Sequence, residues 1–424
     1  MLRMNIIKYS FLFLGLFAAG FSNAQIIRTD VVVAGGTESG VAAAIQVAHS
    51  GVKTLYIVEG NDLASNISQN TDTLFNAGVF KDLLKLTLKA RTDSTTGIVN
   101  QFSQAAALDA FRGWTDTIKN LTIIRNNEIQ KIEKSGKGWD IKLKDGKSIK
   151  TNVTVDATLN GNIAAKAGVT MDQKTGYYKT LVPLEQDIDH FYDNRLYRTS
   201  AGFLNSSNKI FTIPLGSLVA AGQENFILAG QMTTPGSSKQ PATMTIGQAA
   251  GASAAYCSFF KTTSNNLGVR AIQAELFLYK SWLIPFTDIK YVDSNFAAIQ
   301  RIGVTGLLKG KAIQGKFLFQ PDSLVSAEDV RLPMKEYYSR SQIWFADNKV
   351  DKFTLGDLLS LIKFNASRGE ELNSEVEKAW KKSFKFSGEY DPKHLITRRE
   401  FAVLADTYLK PFNVRVDIRG NLGS

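Results

Sequence analysis

Gly35-Gly36-Thr37-Glu38-Ser39-Gly40 stands between the apolar run Asp30-Val-Val-Val-Ala34 and Val41-Ala-Ala-Ala-Ile45-Gln-Val47-Ala48-His49. This order of residue types suits the binding of a diphosphate. A glycine at a strand end permits a tight turn, and the helix that follows points unpaired N–H groups and its positive dipole end at an anion. Gly51 ends the helix, Val52 to Val58 reads as a second buried strand, and Glu59 closes it 19 residues after Gly40. An acid at that point accepts hydrogen bonds from a ribose 2′-hydroxyl. The pattern therefore nominates Gly35, Gly36, Thr37, Glu38, Ser39 and Gly40 for a dinucleotide's pyrophosphate and Glu59 for its ribose. Thr37 takes the place of the second glycine of G-x-G-x-x-G, so Gly36 supplies the close backbone approach. Glu38 must turn its carboxylate away from a bound diphosphate.

Further elements must complete the site. Asn120 to Ile132 and Trp139 to Leu143 alternate in the manner of strands, and Asp145-Gly146 marks a hairpin turn. Val153 to Ala157 and Phe226 to Ala229 are two more short apolar runs, and a helix rich in small residues is expected from about Thr245, with Gly247 to Ala255 at its centre. Acid–base groups are scarce. His190, in Asp187-Ile-Asp189-His190-Phe-Tyr192, is a weak catalytic candidate, since a neighbouring carboxylate raises an imidazole's pKa. Arg195 and Arg198 suit an acidic substrate, and Lys239 lies just before Pro241. For His190 and the two arginines a solvated surface position is the simpler reading.

Three separated segments resemble the bacterial FAD-dependent oxidoreductases that carry a Gly-Gly-Thr-x-x-Gly loop: Asp30 to Gly40, Val155-Asp156-Ala157-Thr158 to Ala165, and Ile213-Pro214 through Ala229-Gly230 to Pro241 and Gly247-Gln248-Ala249-Ala250-Gly251. The resemblance implies an α/β chain with an FAD-type Rossmann fold, an inserted β-hairpin and a reduced substrate-covering region. It implies FAD as cofactor, with Ile129 near the adenine and Ala157 and Thr158 near the pyrophosphate. Gly230, Gln231, Gly247, Gln248 and Ala249 then lie toward the ribityl chain and flavin. The FAD-binding domain spans 27–281, and 60–110 and 170–210 cover the substrate. The chain departs from the family pattern at Leu159, Asn160, Asn162 and Gln231.

From about Pro285 the character changes to a mainly α-helical domain, 284–424. Phe286-Thr-Asp288, Phe296 to Gln300, Gly303 to Gly310 and Phe317 to Asp322 resemble a degenerate S-layer-homology repeat. Ser326-Ala-Glu-Asp329 and Thr397-Arg398-Arg399-Glu400 open further helices, and Thr354-Leu-Gly-Asp357 is a possible third opening. Each is mechanically a helix N-cap with a reciprocal carboxylate. The resemblance implies contact with a cell-wall or surface polymer; packing against the first domain is the favoured reading.

The 424 residues carry a formal net charge of +11, and 44% are hydrophobic. The charge is diffuse, without an Arg/Lys run interleaved with aromatics, which argues against nucleic acid as a partner and fits acidic polymers as well. The single cysteine, Cys257, excludes an intramolecular disulfide and Cys-x-x-Cys redox chemistry, and reads as a buried small residue. No metal-binding pattern occurs. Arg3, Lys8, the apolar stretch Phe11 to Phe21 and Ser22-Asn23-Ala24 read as a signal peptide over 1–24, with Gln25 as the mature start. A periplasmic or secreted protein without a transmembrane span is expected.

These readings converge on an exported enzyme passing a hydride or electron pair between FAD and an unidentified small-molecule or glycan-derived substrate. The alternative is a non-enzymatic surface or glycan-associated protein on a flavoprotein fold. An NAD-dependent enzyme comes third, because a simple NAD domain does not need the late Ala229-Gly230 segment.

Overall fold

The structure is a computed structural model, and it describes residues 26–65, 67, 77–89, 103–172, 177, 178, 187–206, 209–230 and 242–423. Strand β1 (Ile26–Arg28) leads into β2 (Val31–Ala34), helix α1 (Glu38–His49) and β3 (Thr54–Ile57). Helices α2 (Gly78–Lys89) and α3 (Gln104–Thr115) precede β4 (Leu121–Ile124). A meander of β5 (Ile129–Ser135), β6 (Gly138–Leu143) and β7 (Ser148–Thr151) then returns to β8 (Val153–Asp156) and the short helix α4 (Asn162–Lys166). Two antiparallel pairs follow, β9 (Met171–Asp172) with β10 (Tyr177–Tyr178), and β11 (Ser200–Ser206) with β12 (Lys209–Pro214). The late strand β13 (Phe226–Leu228), helix α5 (Ala242–Phe259) and α6 (Val269–Leu278) complete this part.

The central sheet has the order β13-β8-β2-β3-β4, and every pairing in it is parallel. All four residues of β2 are buried, as a strand covered on both faces requires. Their side chains divide by the two-residue period of a strand. Val31 and Val33 face α1 and α5 in one cluster, with Tyr56, Val155 and Ile227. Val32 and Ala34 face the other way, onto Trp139, Ile141 and Ile149. The second sheet, β1-β7-β6-β5, thus forms the opposite layer. A parallel sheet with helices on one face and an inserted β-meander on the other is the FAD-type arrangement expected from the sequence.

Helix α5 is buried almost throughout and has no polar face, as befits a central helix. It starts at Ala242, three residues before the expected Thr245. Its glycines explain how close it comes to α1. A Cβ at Gly247 would lie 2.1 Å from the Ser39 carbonyl oxygen, and one at Gly251 would lie 2.5 Å from that of Ala43.

The C-terminal part contains α7 (Phe296–Thr305), hairpin β14 (Lys311–Ile313) and β15 (Lys316–Leu318), then α8 (Ala327–Tyr337), α9 (Ser341–Asp347), α10 (Leu355–Ala366), α11 (Glu371–Ala379) and α12 (Arg398–Leu404). The β14–β15 hairpin is an element that the sequence does not announce. Its turn residues Gln314 and Gly315 both have positive φ, as a two-residue type I′ turn demands. All three anticipated N-caps are present as reciprocal boxes: Ser326 with Asp329, Thr354 with Asp357, and Thr397 with Glu400. The residue before each cap joins a closed ring of backbone bonds. Val325 donates to Ile396 (3.2 Å), Ile396 to Phe353 (3.0 Å), and Phe353 to Val325 (3.0 Å). Three equivalent helix openings therefore meet around one buried apolar centre. One hydrophobic cluster runs from Leu283 and Ile284 through Phe286 and Ile302 to Phe401, across the expected boundary at 284.

Candidate functional site at the carboxyl edge of the sheet

The carboxyl ends of β3, β2, β8 and β13 lie side by side, and their connecting amides keep the pairing going past the strands. Gly35 donates to Ile57 (3.0 Å), Ala157 to Ala34 (2.8 Å), and Ala229 to Asp156 (2.8 Å). The backbones then approach too closely for side chains. Gly35 has φ +119°, and a Cβ there would lie 2.6 Å from the carbonyl carbon of Ala157. A Cβ at Gly230 would lie 2.1 Å from the oxygen of Thr158. These two glycines are needed for the convergence itself.

Helix α1 starts inside this convergence. Thr37 is its N-cap: its hydroxyl accepts from Gly40 N (3.0 Å) and donates to Ala157 O (2.7 Å), with Ser39 Oγ at 3.0 Å. The Thr37 side chain thus ties α1 to the end of β8. Among the described residues, the amides of Gly36 and Ser39 have no acceptor. Unpaired donors at a helix N-terminus are what an anion requires. Gly36 is half-exposed, while Glu38 is buried, its side chain packed into the protein. Glu59 stands exposed just beyond β3, open to solvent at the same edge. Tyr56 braces the turn from below, donating to Leu63 O (2.6 Å) and within 3.0 Å of Gly35 O, and burial raises its phenol pKa.

Asp156 at the end of β8 was legible as part of a motif, but not as the anchor it is. Fully buried, its carboxylate accepts from Thr158 N (2.8 Å), Thr158 Oγ1 (2.6 Å) and Ala164 N (2.7 Å). It thereby fixes the turn from Thr158 to Gly161 and starts α4. Burial pushes its pKa up to about 6 against the pull of these donors. The signal in the sequence was an acid at a strand end with a threonine two residues on, a capping pattern. Leu159, at the family's glycine position, is 53% exposed beside this turn.

Several expected cofactor residues do other work. Gly247 packs on the backbone of Ser39, and Ala249 lies in the core. Gln248 is buried, accepting from Val79 N (3.1 Å) and donating to Gln46 Oε1 (2.8 Å), so it ties three helices together. Small residues in α5 serve the helix crossing instead. The Ile129 carbonyl is already engaged by Lys166 Nζ (2.6 Å). His190 lies on an exposed turn, paired with Asp193 (3.0 Å). Arg195 bonds Asn421, and buried Arg198 bonds Gly420 O (3.2 Å) and Glu336, so both join the C-terminal part. Gln231 and Lys239 lie outside the described residues, as do parts of 60–110 and 170–210. Cys257 is buried, its thiol pushed up to about 12 by desolvation. Among the described residues, no group of three or more His, Cys, Asp or Glu is placed to hold a metal, and no helix is long and apolar enough to cross a membrane.

The residues present fit the ADP half of a dinucleotide. Unpaired amides, two crowded glycines and an exposed acid occur together where the strands of a doubly wound sheet end. This defines a dinucleotide-binding protein of the flavoprotein type. More narrowly, the chain belongs to the FAD dependent oxidoreductase family, whose sequence model matches residues 30–176 and 185–276. Among solved structures, the chain is similar to the bacillithiol disulfide reductase Bdr of Staphylococcus aureus, with 19% identity over 31% of this chain and 38% of that one and a TM-score of 0.23. It is similar to the flavin-dependent monooxygenase PieE in complex with FAD and substrate, with 12% identity over 34% and 33% and a TM-score of 0.30. Cyclohexanone monooxygenase matches at 13% identity over 38% and 33%, with a TM-score of 0.26. The chain therefore spans less than half of each of these structures. No curated protein matches it.

Proposed function

We propose that the chain is an exported oxidoreductase that exchanges a hydride or electron pair between a small-molecule or glycan-derived organic substrate and FAD held at the carboxyl edge of the sheet. Bound FAD supplies the two-electron centre. The chain's own residues bind and orient it: the amides of Gly36 and Ser39 toward the pyrophosphate, Glu59 toward the ribose, and Asp156 holding the Thr158 turn between them. The observation that carries the reading is the pair of amides at the start of α1, Gly36 and Ser39, that have no acceptor among the described residues and lie beside Gly35 and Gly230. Segments 60–110 and 170–210 are assigned to cover the substrate. Purified protein is expected to be yellow and to release flavin on denaturation, one per chain. Colourless protein that also ignores added FAD overturns the reading. N-terminal sequencing of material from an exporting host tests the leader, with Gln25 as the expected first residue.

For residues 284–424 we infer a packing role that an S-layer-homology-like origin accommodates. The three cap boxes in a ring support a threefold repeat. Arg398, within the Thr397–Glu400 opening, spends its guanidinium on Phe319 O (2.7 Å) and Lys309 O, which favours packing over polymer contact. A pull-down on cell-wall polysaccharide that depends on residues 284–424 would reverse this assignment.

A further inference from the structure

The edge of the sheet opposite the FAD site carries a groove of about 570 Å³, lined by Arg28, Lys53, Lys137, Lys150, Asp30 and Asp140 among others. It opens between the start of β2 and the tip of the β5–β6 hairpin. A second depression of about 260 Å³ continues it through the shared residues Lys137 and Asn152 to Lys261 and Thr262. We propose that this continuous groove binds a linear acidic oligosaccharide. The inference is independent of the redox reading, because the four residues of β2 separate the two edges by about 13 Å.

The charge balance carries the argument. Five cations line the two depressions against two carboxylates. Lys150 is paired with Asp140 (3.3 Å). Asp30 is turned onto the Lys53 amide (3.3 Å) and the Asn152 side chain (3.4 Å). Arg28, Lys53, Lys137 and Lys261 have no ion pair among the described residues, and all four are exposed. Unpaired cations along a concave surface concentrate an anionic ligand. Their spacing along a groove, rather than around one point, suits repeated charges on a chain.

The other lining groups select the kind of chain. Ser135, Asn152, Ser258 and Thr262 offer hydroxyl and amide groups between the cations. A single-stranded nucleic acid needs aromatic faces on which bases stack. Among the described residues, the one aromatic residue lining the groove is Trp139, 2% exposed, its indole N–H on Asn225 O (3.0 Å) and its ring covered by the Lys134 ammonium at 4.6 Å. No stacking platform is left, whereas hydroxyl-rich sugars bearing carboxylates find both partners they need.

The test is calorimetric titration of the full-length protein with a galacturonate tetrasaccharide. Binding is expected, weakened by added salt as screening requires, and abolished for the fully methyl-esterified tetramer. Lys53→Glu/Lys137→Glu is expected to lower affinity at least about tenfold, because two attractions become repulsions. Lys311→Glu/Lys316→Glu, the same charge change on β14–β15, is expected to leave it unaltered. Flavin content, read by absorbance, should be the same in all three proteins, which separates loss of the groove from loss of the fold. Absent binding of the acidic tetramer overturns the proposal. So does equal binding of the methyl ester, equal loss in both double variants, or an equally tight complex with a thymidine tetranucleotide.

Discussion

Gly35 bears the steepest single requirement of the site. Its φ of +119° is open to glycine and hardly to any other residue, and its missing Cβ is where the Ala157 backbone lies. Gly35→Ala is expected to cost about 1–3 kcal/mol of stability from backbone strain and to empty the FAD site, since the same shift moves the α1 amides. Flavin absorbance per mole of protein and the urea midpoint measure the two effects; a variant that keeps a full equivalent of FAD removes Gly35 from the site. Asp156 makes a pH prediction. Burial holds its folded pKa near 6, above the ordinary value of 3.8, so between these limits the folded chain keeps a proton that the unfolded chain has released. The contribution of this group to stability is full at low pH and falls as pH rises to about 6, by about 3 kcal/mol in all. Asp156→Asn lacks that titration. The stability of wild type minus variant should therefore shrink from about pH 4 to pH 6 and stay level above it. A difference that grows over this range contradicts the assignment.

At the scale of elements, the legible parts are those whose burial follows the strand or helix period. Val31 to Ala34, the Asp145-Gly146 hairpin and the three cap boxes stand where their residue types put them. The illegible parts depend on contacts between distant segments. Gly247 and Gln248 have the composition of a ligand-facing helix, and only the approach of α1 shows that they serve a crossing. Gln314-Gly315 lacks the Asn or Asp that announces a type I′ turn, so β14 and β15 were hidden. Arg198 reads as a surface charge until the C-terminal part closes over it. The crossing is itself testable. Gly251→Leu pushes a side chain into the Ala43 backbone, where neither helix can yield cheaply. A loss of about 1–3 kcal/mol is expected, together with weaker FAD retention, because α5 supports the start of α1. A capping change isolates the other end of the chain: Thr354→Ala removes the bond to Asp357 N (3.1 Å) and should cost about 1 kcal/mol without touching flavin content.

For the whole molecule, the question is whether the C-terminal part is an appendage or a wall of the first domain. The contacts favour a wall. Arg198 from the first part reaches Glu336 and Gly420 O, and its carbonyl accepts from Arg270 (3.3 Å) and Gln273 (3.1 Å). Arg270, pushed down to about 10 by burial, lies against the ring of Phe412 at 5.0 Å. Tyr192 donates to Gly303 O (3.2 Å), and Phe191 packs on Phe317 with ring centres 5.2 Å apart. Two guanidinium groups are thus kept from water by residues beyond 284. Ending the chain at Leu283 uncovers them and also exposes the apolar face that Ile302, Phe317 and Phe412 cover. Residues 26–283 alone are expected to be insoluble, or to expose apolar surface to a hydrophobic dye and lose cooperative melting. Glu336→Ala probes the same seam gently. Glu336 is half-exposed, so its removal should cost about 1–2 kcal/mol, less than the 3–5 kcal/mol of a fully buried pair. A soluble, cooperatively melting 26–283 fragment with undiminished flavin content would make the C-terminal part an independent module. The ring of three caps would then need a function of its own.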